Sequence, residues 1–513
     1  MNSTTYRDTL AFEGASRERA SKLYPTWLDV VALCAVFGTG LSHVYSPFAG
    51  DQFLYLVGAH KVAHGVMYRE FWDLKQPLIF YFYAAAGQLF GFTEAGIHLF
   101  EAFYQTIFAA ALIAVCAPRF RFRWVASIVP LLTIVPYYAF ANNDALTSVE
   151  ALAGFPIFLA AFWATDSLRT ERGSIWRATA AGIAGGLAAA LKLAFLPLVV
   201  ALWAVPLTLG IRRDGSRRFR LALFLILGCA APLAILAVHF KAAGVLNVAL
   251  LTTFVDPLVI FQQLAPAYRS PFWLETGEFA RAMWPLVTLA FIGMLSDRRR
   301  PDVLSRQMAV WIVAGFALIV LQVWSFYYKF FIVVVPMGVL SASGIDGLWS
   351  VARARGGWTK VLLVGTFGVM VASSTLVGLR MRSRWFLWAS ENQRATASER
   401  SFLNRADARP GPIYIFGDPR MYYYSGRDQA VSINGWSPQL LLPAEWHRLR
   451  DELDLAAPPY IMVQSTFMPI VRKEPAMVAF ISSRYRVAFT SRDGTWYERR
   501  RAGLGLRESA PNR

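Results

Sequence analysis

The sequence predicts an all-α polytopic membrane protein that ends in a small α/β domain outside the membrane. Composition and hydropathy predict the membrane part. Of the 513 residues, 56% are hydrophobic and only 16% are charged, whereas charged residues make up about 25% of a typical soluble domain. Apolar segments long enough to cross a ~30 Å hydrocarbon core as a helix also recur along the chain. These observations exclude an ordinary soluble enzyme.

The net charge of +18 fits the same interpretation. In a soluble protein such a charge would suggest a nucleic-acid partner. Here the arginines bound the apolar segments, as is typical of loops at a membrane surface. No nucleic-acid partner is therefore predicted, and membrane lipids are the expected surroundings. The three cysteines lie inside apolar segments, which predicts neither a disulfide framework nor a thiolate metal site.

Hydropathy predicts about 11 transmembrane helices. The segment 78–91 is equally apolar, but it is too short to span the membrane comfortably and is predicted to be a helix at or near the interface. The eleven predicted spans are 27–44, 96–117, 124–140, 148–165, 177–191, 194–210, 221–240, 283–296, 307–322, 330–345 and 359–378.

The basic residues of the connecting segments orient these spans. On one side of the membrane they number 22, including four in the N-terminal segment 1–26, and on the other side they number 8. Because the cytoplasmic side carries the excess of Lys and Arg, the richer side is predicted to be cytoplasmic. The expected location is the bacterial inner (plasma) membrane, with the N-terminus in the cytoplasm and the first helix uncleaved.

This topology divides the chain into a cytoplasmic segment 1–26, a membrane domain 27–379 and a periplasmic domain 380–513. The membrane domain carries two external loops, 45–95 and 241–282. Strand and helix patterns alternate in the last region, which predicts a compact α/β domain. They are the strand patterns PIYIF (412–416) and PYIMVQ (459–464), the amphipathic helix 443–456 and a hairpin at Asp493-Gly494.

Acidic residues in two external loops are candidates for chemistry. Asp51 follows the first span, and Asp144 follows Asn143 in a loop between the third and fourth spans. A carboxylate at a membrane boundary can deprotonate a hydroxyl or bind a divalent metal ion, because low-dielectric surroundings raise its pKa. Helix capping explains both residues equally well. Glu150 lies within the next span, where an ionisable group favours a polar cavity.

Four basic residues on the same predicted side complete the set. Lys192 and Lys329 each lie in a tight turn between two spans, and Arg69 and Lys75 lie in the first external loop. Snorkelling to the lipid headgroups is as good an explanation for either lysine taken alone. Together the four cations suit a phosphate or pyrophosphate at the membrane surface, such as that of a lipid-linked sugar.

Cofactor signals are sparse. His60 and His64 are four residues apart and share a helix face, so they can supply two ligands to a metal ion. Interfacial histidines without a metal are commoner, so a divalent metal is possible and no cofactor is certain. The sequence has neither a GxxxxGK[ST] loop nor a GxGxxG loop after a strand, which argues against a nucleotide-driven pump or a dinucleotide site.

The first external loop resembles a known family. The run GDQFLYLVGAHKVAHGVMYREFWDLKQPLIFYFYAAAGQLFGFTEAGIHLFE, residues 50–101, is similar to the first-loop signature of the bacterial GT-C glycosyltransferases. That group includes the lipid A aminoarabinose transferase, the protein O-mannosyltransferases and the rhizobial lipopolysaccharide glycosyltransferases. The family pattern has an Asp-Glu pair, then YRDFxDxKPPL and LFGxSExAxRL. Here Gln52 replaces the Glu, which weakens any metal site at that position, and KQP replaces KPP.

The resemblance implies a GT-C-like fold and an inverting sugar transferase with its active site on the periplasmic face. The donor would be a polyprenyl-phosphate sugar and the acceptor lipid A or lipopolysaccharide, another glycan or a protein. Asp51 would be the principal catalytic base, with Asp144 as the second catalytic carboxylate. The cations Lys75, Arg69, Lys192 and Lys329 would bind the donor phosphate. Contacts to the acceptor or the sugar are expected from Gln52, Tyr55, Asp73, Asn143 and Glu150.

Two other functions stay open from the sequence. A multi-pass transporter or flippase of a lipid-linked sugar would have a similar number of spans and buried polar residues, although matched broken spans in two halves are not visible. A membrane-anchored binding protein would place its activity in the C-terminal domain, but eleven spans are excessive for an anchor.

Overall fold

The computed structural model describes most of the chain. The described residues are 25–168, 174–209, 215–264, 272–297, 303–322, 326–436 and 442–501. Most of the predicted cytoplasmic segment 1–26 lies outside them, as do part of the predicted loop 241–282 and the end of the predicted periplasmic domain.

Helices make up almost all of the described chain before residue 404, as the hydropathy predicts. The helices are α1 (Trp27–Leu41), α2 (Asp51–Ala63), α3 (Leu78–Phe90), α4 (Glu94–Cys116), α5 (Arg123–Phe140), α6 (Val149–Asp166), α7 (Ser174–Leu191), α8 (Leu196–Leu209), α9 (Gly215–Ala242), α10 (Leu246–Leu250), α11 (Asp256–Leu264), α12 (Phe272–Asp297), α13 (Val303–Leu321), α14 (Val334–Arg355), α15 (Gly357–Ala395) and α16 (Ala397–Leu403). Short stretches of 3₁₀-helix occupy Asn143–Ala145, Leu193–Phe195 and Tyr327–Val333, and a π-helical turn occupies Leu251–Val255.

Seven helical segments in the described part of the chain are long and apolar enough to cross a membrane. They correspond to seven of the eleven predicted spans. The other four predicted spans coincide with α1, α7, α8 and α15, which are helical but shorter or less apolar over the required length. The prediction of a polytopic helical membrane protein is therefore confirmed.

Small residues let two of these helices approach closely. A Cβ atom on Gly182 of α7 would lie 2.3 Å from the carbonyl oxygen of Leu225 in α9 and 2.8 Å from Cα of Gly228. Such small-residue contacts are typical of helix packing in membranes. Lipid tails are as apolar as the helices, so helices associate there through close van der Waals contact rather than through the hydrophobic effect. They account for the Gly- and Ala-rich sequence of α7.

The two short helices of the first external loop pack inside the protein. The segment 78–91 is indeed a short helix, α3, which begins at Leu78 and ends at Phe90. Helix α2 has 13 residues, most of them buried, including Phe53 and Leu56. Helix α2 is thus a largely buried element, because its apolar side chains pack against the core of the protein. Asp51 is its first residue and is partly exposed.

The C-terminal domain contains a four-stranded sheet. Its strands are β1 (Ile413–Phe416), β2 (Tyr460–Gln464), β3 (Tyr485–Thr490) and β4 (Gly494–Arg499), and their order in the sheet is β1-β2-β4-β3. Strand β1 is parallel to β2, whereas β2 and β4, and then β3 and β4, pair antiparallel. The predicted strands at 412–416 and 459–464, the helix at 443–456 and the hairpin at Asp493-Gly494 are all present. The elements are β1 (Ile413–Phe416), α17 (Arg420–Ser425), α18 (Pro443–Ala456), β2 (Tyr460–Gln464), α19 (Met468–Arg472), α20 (Pro475–Arg484), β3 (Tyr485–Thr490) and β4 (Gly494–Arg499).

Candidate active site

Asp51 and Lys75, both in the first external loop (45–95), form an ion pair. Nζ of Lys75 lies 3.2 Å from Oδ1 of Asp51, and the two side chains are 28% and 31% exposed. Asp51 is the first residue of α2, where the unpaired N–H groups and the helix dipole favour a negative charge. Because both side chains remain partly open to solvent, a substrate can reach them.

The ammonium group of Lys75 is held by its neighbours on the loop. It lies 5.7 Å from the centre of the Tyr55 ring, a cation–π arrangement. The backbone N–H of Lys75 donates to Oδ1 of the buried Asp73 at 2.8 Å. Burial lowers the pKa of Lys75, but the Asp51 and Asp73 carboxylates outweigh that effect and the pKa is raised from its usual value. The side chain therefore carries a positive charge throughout the neutral pH range.

A second carboxylate faces this pair from the loop between α5 and α6. Asp144 lies in the 3₁₀ turn Asn143–Ala145. Burial, with smaller contributions from the charges of Asp51 and Asp418, raises its pKa to about 6. Gly50, with φ of +52°, lets the two acidic segments approach, since a Cβ there would lie 2.9 Å from Oδ1 of Asp144.

Three side chains of this loop have buried polar atoms without a hydrogen-bond partner among the described residues. They are Oδ1 of Asn142, Nδ2 of Asn143 and Oδ1 of Asp144. Buried polar atoms are nearly always paired in proteins. One donor and two acceptors in three consecutive residues are therefore left unpaired among the described residues, close to Asp51.

Gln52 ties this loop to α2. Its Oε1 accepts the N–H of Ala49 at 2.9 Å and its Nε2 donates to the carbonyl oxygen of Leu146 at 2.8 Å. The side chain is fully buried. An ionised Glu at this position could not donate to Leu146, so the amide of Gln52 has a structural role here.

A buried network that the sequence analysis missed supports the same loop. Thr147 adopts a φ of +53°, which is unfavourable for a β-branched residue. Its N–H and hydroxyl donate to the buried Glu101 carboxylate at 3.2 and 2.8 Å, and the Tyr137 hydroxyl donates to the same carboxylate. These bonds offset the backbone strain. The sequence feature that indicates this network is Glu101, an acidic residue within the apolar helix α4.

The other predicted cations occupy different surroundings. Nζ of Lys192 lies 2.7 Å from Oε1 of the buried Glu150 and 2.7 Å from Oε1 of Gln322. Lys329 is buried in its 3₁₀ turn, 5.7 Å from the centre of the Phe326 ring. Arg69 lies on the same loop as Lys75, but its guanidinium pairs at 3.0 Å with Glu70, and both side chains are about half exposed.

The histidine pair is present but incomplete as a metal site. The rings of His60 and His64 are 5.7 Å apart, and Nδ1 of His60 lies 3.7 Å from Oδ1 of Asp428. Among the described residues, no group of three or more His, Cys, Asp or Glu side chains is arranged to hold a metal ion. These residues do not form a ligand set for a metal ion.

The C-terminal domain reaches the carboxylates, which the sequence analysis did not anticipate. The indole N–H of Trp436 donates to Oδ1 of Asp51 at 3.3 Å. Asp418, two residues after the end of β1, also lies near Asp51. Burial raises its pKa against the effect of Arg420, and the charge of Asp51 raises it further. An acidic residue at the carboxyl end of a buried strand, as in IYIFGD, is a signal that could have identified Asp418.

Comparisons with known proteins define the fold. No family model matches the sequence, and no curated protein does. Among solved structures, ArnT from Cupriavidus metallidurans bound to undecaprenyl phosphate matches with a TM-score of 0.57 and 13% identity, over 92% of this chain and 97% of that chain. ArnT from the same organism in the apo state matches with a TM-score of 0.55 and 14% identity, over the same shares.

A third match is the archaeal oligosaccharyltransferase AglB from Archaeoglobus fulgidus, with a TM-score of 0.49 and 11% identity over 93% of this chain and 75% of that chain. The likeness to ArnT extends over nearly the whole length of both chains. The chain therefore has the GT-C fold, an all-α polytopic membrane part followed by a small α/β domain, and the predicted fold class is confirmed.

Proposed function

We propose that this protein is an integral-membrane glycosyltransferase that moves a sugar from a polyprenyl-phosphate donor to a hydroxyl group of an envelope acceptor, with inversion at the anomeric carbon. One observation carries the proposal. A partly exposed carboxylate and an ammonium group, Asp51 and Lys75, stand 3.2 Å apart at the mouth of the external loop of a GT-C fold. A base for an acceptor and a cation for a departing phosphate are the two groups such a reaction needs.

The reaction follows from these two groups. The acceptor oxygen attacks the anomeric carbon, its proton passes to the Asp51 carboxylate, and the bond between the anomeric carbon and the phosphate oxygen breaks. The polyprenyl phosphate leaves with the bonding electrons, and Lys75 stabilises its negative charge. When the phosphate draws the ammonium toward itself, Asp51 loses part of its ion pair and gains basicity toward the hydroxyl.

The remaining predicted residues take supporting roles in this proposal. Asp144 is the second carboxylate, and with Asn143 it offers unpaired polar atoms to sugar or acceptor hydroxyls. Tyr55 and Asp73 hold Lys75 in place. Gln52 fixes the loop that carries Asp144.

The outlying cations are assigned to the lipid phosphate and its approach. Lys192, oriented by Glu150, and Lys329 lie in turns on the same predicted side of the membrane, and Arg69 lies at the rim of the loop. We assign this side to the periplasm, the protein to the inner membrane, and the acceptor to lipid A or lipopolysaccharide, another glycan or a protein. The positive-inside bias of 22 to 8 supports the orientation.

The experiment that tests this proposal reconstitutes the purified full chain in liposomes with a panel of radiolabelled polyprenyl-phosphate sugars and envelope glycolipid. Asp51→Asn is expected to reduce transfer by about 10²–10⁴-fold, the usual contribution of a general base. The matched control is Asp454→Asn, which neutralises a carboxylate 49% exposed on the C-terminal domain and is expected to transfer sugar at the wild-type rate. Donor movement across the bilayer without covalent transfer would instead identify a flippase.

A further inference from the structure

The C-terminal domain is bonded directly to the loop that carries the catalytic lysine. The N–H of Trp72 donates to the carbonyl oxygen of Ser432 at 2.9 Å. Nδ2 of Asn434 donates to the carbonyl oxygen of Trp72 at 3.0 Å and to Oδ2 of Asp73 at 2.7 Å. Trp72, Asp73 and Asn434 are all buried. The contact is therefore a solvent-excluded seam, in which each polar group of Asn434 has a defined partner.

Asn434 and Asp73 together hold the segments that carry Trp436 and Lys75, the two residues that donate to Asp51. Oδ1 of Asn434 accepts the backbone N–H of Trp436 at 3.1 Å. On the other side of the seam, Oδ1 of Asp73 accepts the backbone N–H of Lys75 at 2.8 Å. The Asn434–Asp73 bond thus links Lys75, on the membrane part, to Trp436, on the C-terminal domain.

The two donors contact the same oxygen of the catalytic carboxylate. Nζ of Lys75 lies 3.2 Å from Oδ1 of Asp51, and Nε1 of Trp436 lies 3.3 Å from that atom. The Trp436 ring is held in turn by stacking on Phe467, with ring centres 5.9 Å apart. Neither contact uses Oδ2 of Asp51, so the carboxylate is held by one oxygen and presents the other.

We propose that Trp436 is a positioning residue for sugar transfer: its indole N–H holds Oδ1 of Asp51 so that Oδ2 accepts the proton of the acceptor hydroxyl. The proposal rests on the proposed function. When the donor phosphate draws Lys75 away, the Trp436 N–H is the contact that keeps the carboxylate oriented. An indole suits this role because its N–H donates a hydrogen bond but is not acidic enough to give its proton to the carboxylate.

The test is the variant Trp436→Phe in the liposome assay. It keeps an aromatic ring for Phe467 and removes the N–H. The expected kcat falls about 10- to 100-fold, the usual effect of losing a hydrogen bond to a charged group, while KM for the donor stays within about twofold, since the phosphate site on Lys75 is intact. The acidic limb of kcat/KM against pH is expected to move to higher pH, because a carboxylate that loses an N–H donor binds its proton more tightly.

Trp496→Phe is the matched control. Trp496 lies fully buried in β4 of the same domain, and its indole N–H has no hydrogen-bond partner in the described part of the chain. The same atoms are removed, so the loss of domain packing is reproduced without a change at Asp51. A wild-type pH profile with a lowered Tm is expected. Trp436→His, which retains a ring N–H, is expected to recover part of the activity lost in Trp436→Phe.

The outcomes separate this inference from the function on which it rests. If wild-type protein transfers no sugar from any donor, the proposed function fails and the role of Trp436 fails with it. If wild-type protein transfers sugar and Trp436→Phe keeps the wild-type kcat and pH profile, only the inference is overturned. The inference is equally overturned if Trp496→Phe shifts the pH profile as Trp436→Phe does.

Discussion

Two carboxylate–ammonium pairs on the same predicted side of the membrane differ chiefly in the burial of the carboxylate. Asp51 is 31% exposed and lies 3.2 Å from Lys75, which is 28% exposed. Glu150 is only 5% exposed and lies 2.7 Å from Lys192, which is 25% exposed and also donates to Gln322. The first pair joins two segments of one loop, whereas the second joins α6 to the turn after α7 and to the end of α13.

The burial of Glu150 makes its pair with Lys192 the harder of the two to separate. A solvent-exposed ion pair contributes about 0–1 kcal/mol to stability, so the more open Asp51–Lys75 pair is expected to separate at the lower cost. Removing one partner of a buried carboxylate costs about 3–5 kcal/mol, because it leaves an uncompensated charge. We therefore expect the Asp51–Lys75 pair to carry the chemistry, and the Glu150–Lys192 pair to hold the membrane helices around it while it orients Lys192.

The largest expected effect is on catalysis at the open pair. Lys75→Met removes the cation that stabilises the departing phosphate and is expected to reduce transfer by about 10²–10³-fold, as loss of one transition-state donor does. The Tm in detergent is expected to change little, because an exposed pair contributes little to stability. Lys75→Arg, which retains the charge, is the control and is expected to retain more activity. A large loss of Tm in Lys75→Met would contradict the distinction between the pairs.

The buried pair should respond in the opposite way. Lys192→Met leaves the Glu150 carboxylate without its partner, and we expect a loss of about 3–5 kcal/mol in unfolding free energy, measured as a lowered Tm. The double variant Glu150→Gln with Lys192→Met removes both charges and is expected to recover much of that stability. If the double variant regains its Tm but not its transfer activity, Lys192 also contacts the donor phosphate. An unchanged Tm in Lys192→Met would remove the structural role of the pair.

The smallest effect sharpens the comparison with Asp144, a carboxylate that forms no ion pair among the described residues. Burial, Asp51 and Asp418 raise the pKa of Asp144 to about 6 in the folded protein. The stability associated with this group is fully present below its unfolded pKa of about 3.9 and is lost as the pH rises to about 6, since the folded state then carries a buried charge.

Asp144→Asn removes that charge. We expect the variant to be more stable than wild type by about 1–3 kcal/mol near pH 7.5 and by less near pH 4.5, as measured by Tm at the two pH values. Asp454→Asn, which changes an exposed carboxylate, controls for net charge. A difference that grows toward low pH would contradict the environment described for Asp144.

The sequence was sufficient for the helical membrane architecture because hydropathy is a local property. The eleven apolar segments coincide with helical segments of the described chain, and the strands at 412–416 and 459–464 lie where the alternation predicted them. The proximity of Asp51 and Lys75 could also be predicted, since both residues lie in one loop. The burial of α2 could not be predicted, because an apolar pattern does not distinguish lipid from a protein partner.

What the sequence could not supply was contact between distant segments. Nothing in the sequence around Trp436 distinguishes it from other loop aromatics. Its hydrogen bond to Asp51 is visible only in the structure, where Asn434 accepts its backbone N–H. Thr147 gives no sign of its positive φ, and Glu101 gives no sign of its three donors. Gln52 was expected to weaken any metal site and to contact the acceptor or the sugar. Its amide bonds two backbone groups that an ionised carboxylate could not satisfy together, a role that the sequence did not indicate.

The hydrogen bond between Asp51 and Trp436 joins residues 385 positions apart, and this separation orders events during biosynthesis. A ribosome that adds about 5–20 residues per second needs on the order of a minute to reach Trp436 after it has made Asp51. Throughout that interval Asp51 lacks the N–H of Trp436 and has only Lys75 as a donor. If the proposed function holds, a chain that ends before Trp436 is therefore expected to carry an incompletely positioned base.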